Sequence, residues 1–231
     1  MKNEKGFTLI ELLAVIIILG ILMLVAIPSV TTYINSSRKS AYVDTAQQYI
    51  KAAVNVVNQG KKVQFYDEKT LLLMPVGHNE KRSMVTLESG GQSPYNSTWY
   101  MAYVGVVYNN ESYDYYFMGV DESGQGIKLV KQDAMEKSAE ELVLAGQKTG
   151  MKYASKLHTE YIKETAGNAT THTNGTIFCK DSSNCTGTAW TQIEAEEMLT
   201  DAGLVKTVDG NKVYSVDRIY VCQFDYCPKA A

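Results

Sequence analysis

The chain has 231 residues, 45% of them hydrophobic, with a formal net charge of −3, which provides for one sizeable domain or two small ones. The charge is mild and no basic run follows the first few residues, so composition gives no reason to expect a nucleic-acid surface. With 16 Tyr against 5 Phe, the aromatic side chains are amphipathic and tolerate partial exposure.

The first element is an apolar segment. Phe7–Val30 is 24 residues long and no charged side chain occurs from Leu12 to Ser37. As a helix it spans roughly 36 Å, enough to cross a hydrocarbon core with some tilt. Glu11 interrupts the apolar block just behind Gly6-Phe7. A carboxylate there costs on the order of 2.5–3.5 kcal/mol at a bilayer centre, so it needs a compensating partner.

Three readings compete for residues 1–30. A secretory signal peptide has a shorter apolar region and a small-residue cleavage site, which Leu24-Val25-Ala26-Ile27-Pro28-Ser29 lacks. A plain single-span anchor accounts for the length and for Lys2 and Lys5 staying inside, but leaves Glu11 unexplained and puts Arg38-Lys39 on the less favoured side. The third reading explains Glu11. Met1–Gly6 followed by Phe-Thr-Leu-Ile-Glu resembles the class III signal of type IV prepilins and pseudopilins: a short charged leader ending in Gly, a hydrophobic residue, and Glu fifth in the mature chain. Pro28 matches that family's helix-kinking proline.

By that resemblance, a prepilin peptidase cuts between Gly6 and Phe7 on the cytoplasmic side and methylates the new Phe7 amine. Residues 1–6 are then a leader peptide. An α-amine with an ordinary pKa near 7.7–8.0 is mostly cationic at neutral pH, and methylation keeps the charge. In an apolar filament core that cation and Glu11 of a neighbouring subunit neutralise each other, which makes Glu11 a register device during assembly.

Helical spacing continues past Pro28. Ile34, Tyr42, Ala46, Tyr49, Ala53 and Val57 form a stripe suited to resting on a sheet, and Gly60 ends the run. One long helix over 7–60 is expected, with 7–30 as transmembrane segment or filament core, and a kink or local melting near 24–28 at Pro28.

The period then changes. Lys62–Tyr66 and Thr70–Val76 read as strands, with Pro75 demoting the end of the second. Thr98–Tyr108 and Tyr113–Asp121 form a hairpin about Asn109–Ser112, and Gly126–Val130 adds a strand. Both faces of Thr98–Tyr108 are apolar, so one rests on the helix and the other needs cover from loops or a neighbouring subunit. Gln132–Ala145 reads as a helix closed by Gly146. Residues 147–176 read mostly as loop, with a helix at Ala154–Glu164. Thr191 opens a helix over Gln192–Ala202, and Leu204–Val208 with Val213–Phe224 reads as a final hairpin.

The whole is an α+β chain, and its order resembles the type IV pilin architecture: a long N-terminal helix on an antiparallel sheet head with a cysteine-containing C-terminal region. The head, 61–231, is large for that family, so a second lobe over 132–231 is open.

Cys179 and Cys185, and Cys222 and Cys227, are two close pairs. Beyond an exporting segment they are disulfide candidates, with local pairing preferred among three connectivities. A zinc site using all four is the rival and lacks the usual two-residue gaps, so no metal is expected. His78, His158 and His172 are isolated. No nucleophile, P-loop or dinucleotide motif occurs, and Asp114, Asp121 and Glu122 read as solvated carboxylates of a hairpin. The five Asn-x-Ser/Thr triplets of the head, at Asn96, Asn110, Asn168, Asn174 and Asn184, read as chance matches.

The expectation is a structural subunit, not an enzyme and without cofactors. It is held in the inner membrane with its N-terminus inside until it joins a surface pilus for adhesion, motility or DNA uptake. Its partners by resemblance are other pilin subunits, the peptidase, the pilus assembly platform and, before assembly, membrane lipid. The alternatives are a pseudopilin of a type II secretion or competence system, or a membrane-anchored surface protein with a binding head.

Overall fold

A computed structural model describes residues 6–60, 69–77, 83–88, 90–109, 112–157, 176–181 and 190–222. The expected strand Lys62–Tyr66 lies outside them, as do the three histidines, Cys185, Cys227 and four of the five asparagine triplets.

Helix α1 covers Leu9–Asn58, 50 residues. Gly60 ends it at a positive φ of 62°, its amide donating to the Val57 carbonyl, as the left-handed C-terminal cap requires. The helix continues through Pro28, so the local melting expected at 24–28 does not occur. Proline removes one amide donor, while Ser29, Thr31 and Thr32 each donate a hydroxyl hydrogen bond to a carbonyl three or four residues earlier and keep the turns after it tied together.

The chain divides into two compact units, 1–38 and 39–231. In the first, the described residues are a single helical stretch with nearly every side chain exposed, long and apolar enough to cross a membrane.

The second unit is built on a mixed, mainly antiparallel sheet. Its strands are β1 (Thr70–Gly77), β2 (Val85–Thr86), β3 (Trp99–Asn109), β4 (Ser112–Asp121), β5 (Gly126–Lys131), β6 (Thr176–Cys179) and, late in the chain, β9 (Arg218–Val221). The order is β5-β4-β3-β1-β9-β6, with β2 alongside β1. β1 runs parallel to β9 and antiparallel to β3. Leu71, Leu72, Leu73 and Met74 are buried, the continuous apolar run that a strand covered on both faces requires. Pro75 therefore does not demote β1: its residue pairs with Tyr103, and its carbonyl accepts from the Met84 amide.

One face of the sheet carries Leu72, Met74, Val104, Val106, Phe117 and Ile127 and packs against Tyr42, Val43, Ala46, Tyr49, Ile50, Ala53 and Val57 of α1. The expected stripe is right from Tyr42 onward, whereas Ile34 stays exposed. The Tyr42 hydroxyl is within 3.2 Å of the Gly119 and Gln125 carbonyls, and burial raises its pKa well above the ordinary tyrosine value. The opposite face, with Leu71, Leu73, Tyr103, Tyr116 and Met118, is covered by Met151, Tyr153, Ala154 and Leu157 and by helix α4 (Gln192–Asp201) through Ala195, Met198 and Leu199. Both apolar faces of β3 are thus covered within the chain.

Two expected elements differ. Gln132–Ala145 is not one helix but a 3-10 turn (Gln132–Glu136) and a single α turn, α2 (Ala139–Leu142), followed by extended backbone. Leu144 exchanges both backbone hydrogen bonds with Gly126, extending the sheet edge, and that pairing wins over helix continuation. A second short turn, α3 (Gln147–Gly150), follows; of the expected helix Ala154–Glu164, residues 154–157 belong to a helical run at 152–157 and the rest lies outside the described residues. Val213–Phe224 is likewise not one strand. Val205–Val208 (β7) and Asn211–Tyr214 (β8) form their own hairpin through a turn with Asp209 and Gly210 at positive φ, and the chain then enters the main sheet as β9.

α4 opens with a full capping box: the Thr191 hydroxyl accepts from the Glu194 amide, and the Glu194 side chain accepts from the Thr191 amide at 2.7 Å. Thr191→Ala is expected to cost about 1 kcal/mol, read from the urea midpoint. Lys156 at 2.6 Å, then the Thr191 amide and hydroxyl, hold the Glu194 carboxyl down at about 2. A carboxyl depressed in the folded state stabilises above its ordinary value of 4.5 and loses that contribution as pH falls toward 2. Glu194→Gln is therefore expected to be less stable than the parent at pH 6, with the difference closing across that acid window.

Candidate assembly site at the amino terminus

Glu11 lies in the first turn of α1. Thr8 donates to one of its oxygens, Oε2, twice: from its amide at 2.8 Å and from its hydroxyl at 2.8 Å. The Glu11 amide returns a longer contact of 3.4 Å to the Thr8 hydroxyl. Thr8-x-x-Glu11 is thus a capping box of the same spacing as Thr191-x-x-Glu194. It satisfies amide donors that an α-helix leaves without internal partners. The other oxygen, Oε1, makes no hydrogen bond or ion pair among the described residues and remains available to a donor from outside the chain.

Sequence reasoning singled out Glu11 and passed over Thr8, although the Thr-x-x-Glu spacing that identified Thr191 was present there too. Gly6 and Phe7 precede the helix and are exposed, Phe7 at 89%. Helix residues 9–27 likewise present their apolar side chains outward, without cover among the described residues.

The N-terminal 27 residues match the family model described as the prokaryotic N-terminal methylation motif. At its N-terminus the chain carries a type IV prepilin motif. Among its relatives are fimbrial proteins of Pseudomonas aeruginosa, 38% identical over 63 residues, or 27% of this chain and 41% of theirs. The ComG operon protein 3 homolog of Bacillus licheniformis is 54% identical over 37 residues, 16% of this chain and 38% of that protein. The competence protein ComGC of Bacillus subtilis is 44% identical over 50 residues, covering 22% and 50%. The chain thus spans half or less of the length of these relatives. No solved structure matches significantly. The pilin-like part is the long N-terminal helix followed by a mostly antiparallel head.

The remaining sequence candidates separate. Asp114 pairs with Lys131 at 2.9 Å, and Glu122 pairs with Lys148 on the surface. Asp121 is fully buried, accepting hydroxyl hydrogen bonds from Ser93 at 2.5 Å and Ser123 at 2.6 Å and an amide from Gln125 at 3.0 Å. It fastens the 93–97 turn to the β4–β5 connection. Asp114 and Asp121 sit near opposite ends of β4, about 23 Å apart along the strand, so they do not converge on a substrate. Asp121 is therefore a structural carboxylate, not the solvated one expected. Cys179 at the end of β6 and Cys222 just after β9 are not free thiols, and their pairing rests on residues outside those described. Asn96 is exposed in a left-handed turn. Lys39 is paired with Glu140 at 2.5 Å.

Proposed function

We propose that the chain is a structural subunit of a type IV pilus, cut between Gly6 and Phe7, methylated at Phe7, and polymerised through α1 into a cell-surface filament. The observation that carries this reading is the half-satisfied carboxylate: Glu11 holds its own helix terminus through one oxygen and keeps the other open, on an apolar helix with nothing covering it. Once the leader is removed, the Phe7 amine of an adjacent copy is a cation of the right charge for that oxygen. The apolar side chains of 9–27 leave lipid only by meeting copies of themselves, and Glu11 sets the register in which they meet. The prepilin peptidase and an assembly platform are the partners this route requires, with lipid holding the precursor, its N-terminus inside. The chain has no catalytic role in this scheme. Local disulfides, Cys179 with Cys185 and Cys222 with Cys227, stabilise the C-terminal region by roughly 2–3 kcal/mol each.

The similarity to two competence proteins favours a second reading, a subunit of a short pseudopilus in a competence or secretion machine. Mass spectrometry of the protein from cells, with imaging of the cell surface, tests both. A mature chain starting at methylated Phe7 and present in long fibres is the expected result. The same processed chain with no long fibres selects the pseudopilus, and an intact residue 6–7 bond overturns both.

A further inference from the structure

A second feature of the head is a cavity with no residue of α1 in its lining. On the sheet face opposite α1, a cavity of about 510 Å³ opens between the base of the β3–β4 hairpin, the start of β1, the end of β5 and hairpin β7–β8. Its size falls within the range of small-ligand sites. Lys69, Lys131 and Lys206 line it, with Asp114 as the only acid among the lining residues.

Among the described residues, the charges around it do not cancel. Lys131 is shared by Asp114 at 2.9 Å and Asp133 at 3.6 Å. Asp217 is divided between Lys69 at 3.7 Å and Lys180 at 3.8 Å. Of the described residues, four lysines therefore meet three aspartates, and the surplus cation is Lys206, which has no partner among them. In β7 its register opposite Val213 puts it on the hairpin face opposite that of Val205 and Thr207, on the side of the cavity. Lys69 is held on the rim by a left-handed backbone, φ 76°, a conformation costly for a residue with a Cβ. Its carbonyl accepts the Asp217 amide at 2.8 Å, which fixes that geometry.

The other lining groups indicate what accompanies the anion. Tyr108 and Tyr116 supply ring walls, while Asn109 and Ser215 supply neutral hydrogen-bonding groups. A bare inorganic anion gains nothing from rings and is repelled by Asp114. A ring bearing hydroxyls and one carboxylate uses everything present: hydroxyls to Asp114 and Asn109, a pyranose face to tyrosine, the carboxylate to Lys206. We propose that this cavity binds a singly charged acidic sugar, a hexuronate unit of a surface polysaccharide. No residue of α1 takes part, so the site stands or falls apart from filament assembly.

The test uses full-length protein in detergent micelles, titrated calorimetrically with methyl glucuronide, methyl glucoside and inorganic phosphate. The glucuronide is expected to bind, the glucoside about tenfold more weakly, and added salt to narrow that gap. Lys206→Ala, at an exposed position that leaves the fold intact, should weaken glucuronide about tenfold and leave glucoside unchanged. Asp114→Asn should weaken the glucoside, whose hydroxyl loses a charged acceptor, more than the glucuronide, for which the same change also removes a repelling charge. Equal binding of the two sugars, no effect of Lys206→Ala, or phosphate binding as tight as glucuronide each overturns the proposal, the last leaving a simple anion site.

Discussion

Glu11→Ala subunits are expected to be processed to Phe7 and to accumulate in the membrane, while surface fibres fall by two to three orders of magnitude. The estimate rests on what is left behind. Removing one member of a buried ion pair costs roughly 3–5 kcal/mol, because the other charge stays buried without compensation. Among the described residues the side-chain hydrogen bonds of Glu11 are to Thr8, so unfolding of the head should be unchanged. Glu11→Gln separates the two roles of the side chain. It keeps an acceptor for the Thr8 amide and loses the charge, so it should assemble nearly as poorly as alanine if the pairing matters, and nearly as well as the parent if only the helix terminus matters. Thr8→Ala removes the hydroxyl alone, worth about 1 kcal/mol as a cap, and should reduce fibres modestly. Sheared-fibre yield by immunoblot, normalised to processed subunit, reads all three. Normal fibre yield from Glu11→Ala would remove the register role.

Phe117→Ala is expected to destabilise the head by about 3–5 kcal/mol, a large share of the 5–15 kcal/mol typical of a domain. Phe117 is fully buried at the centre of the packing between α1 and the sheet. Its ring stacks on Tyr49 at 6.2 Å and meets Trp99 edge-on at 6.3 Å, and Trp99 in turn meets Tyr42 at 5.2 Å. The contact is close because Gly119 has no side chain: a Cβ there would lie 2.8 Å from the Phe117 ring and 2.9 Å from that of Trp99. Gly119→Ala should therefore approach the same loss by overpacking instead of by a cavity. Urea unfolding of the full chain in detergent, followed by tryptophan fluorescence, reads both. A midpoint unchanged from the parent would mean that the aromatic cluster is not what holds α1 to the sheet.

The comparison between these two sites shows where sequence is informative. Glu11 stood out because a charge inside an apolar run is costly wherever the run ends up, so its importance does not depend on the fold around it. The Tyr42, Ala46, Tyr49, Ala53 and Val57 stripe was legible for a related reason: helical periodicity is local. The capping box at Thr191 and Glu194 was legible because all its atoms lie within four residues.

The failures in the head are non-local, unlike the missed Thr8 cap and the intact helix at Pro28. Nothing near Pro75 says that β1 is covered on both faces and runs beside β9 from the far end of the chain. Gln132–Ala145 has the composition of a helix, and only the pairing of Leu144 with Gly126 stops it from forming one. Val213–Phe224 reads as a single strand until the sheet offers β1 as a partner for its second half. The Lys206 cavity had no sequence signature, since its lysines lie at 69, 131 and 206.

Residues 1–58 and their order alone set the long helix, its misplaced acid and its exposed apolar surface, because each follows from spacing along one continuous helix. The folded head decided which carboxylates are buried, which strands are neighbours and which lysine lacks a counter-ion, because those depend on segments far apart in the chain competing for the same sheet and the same charges.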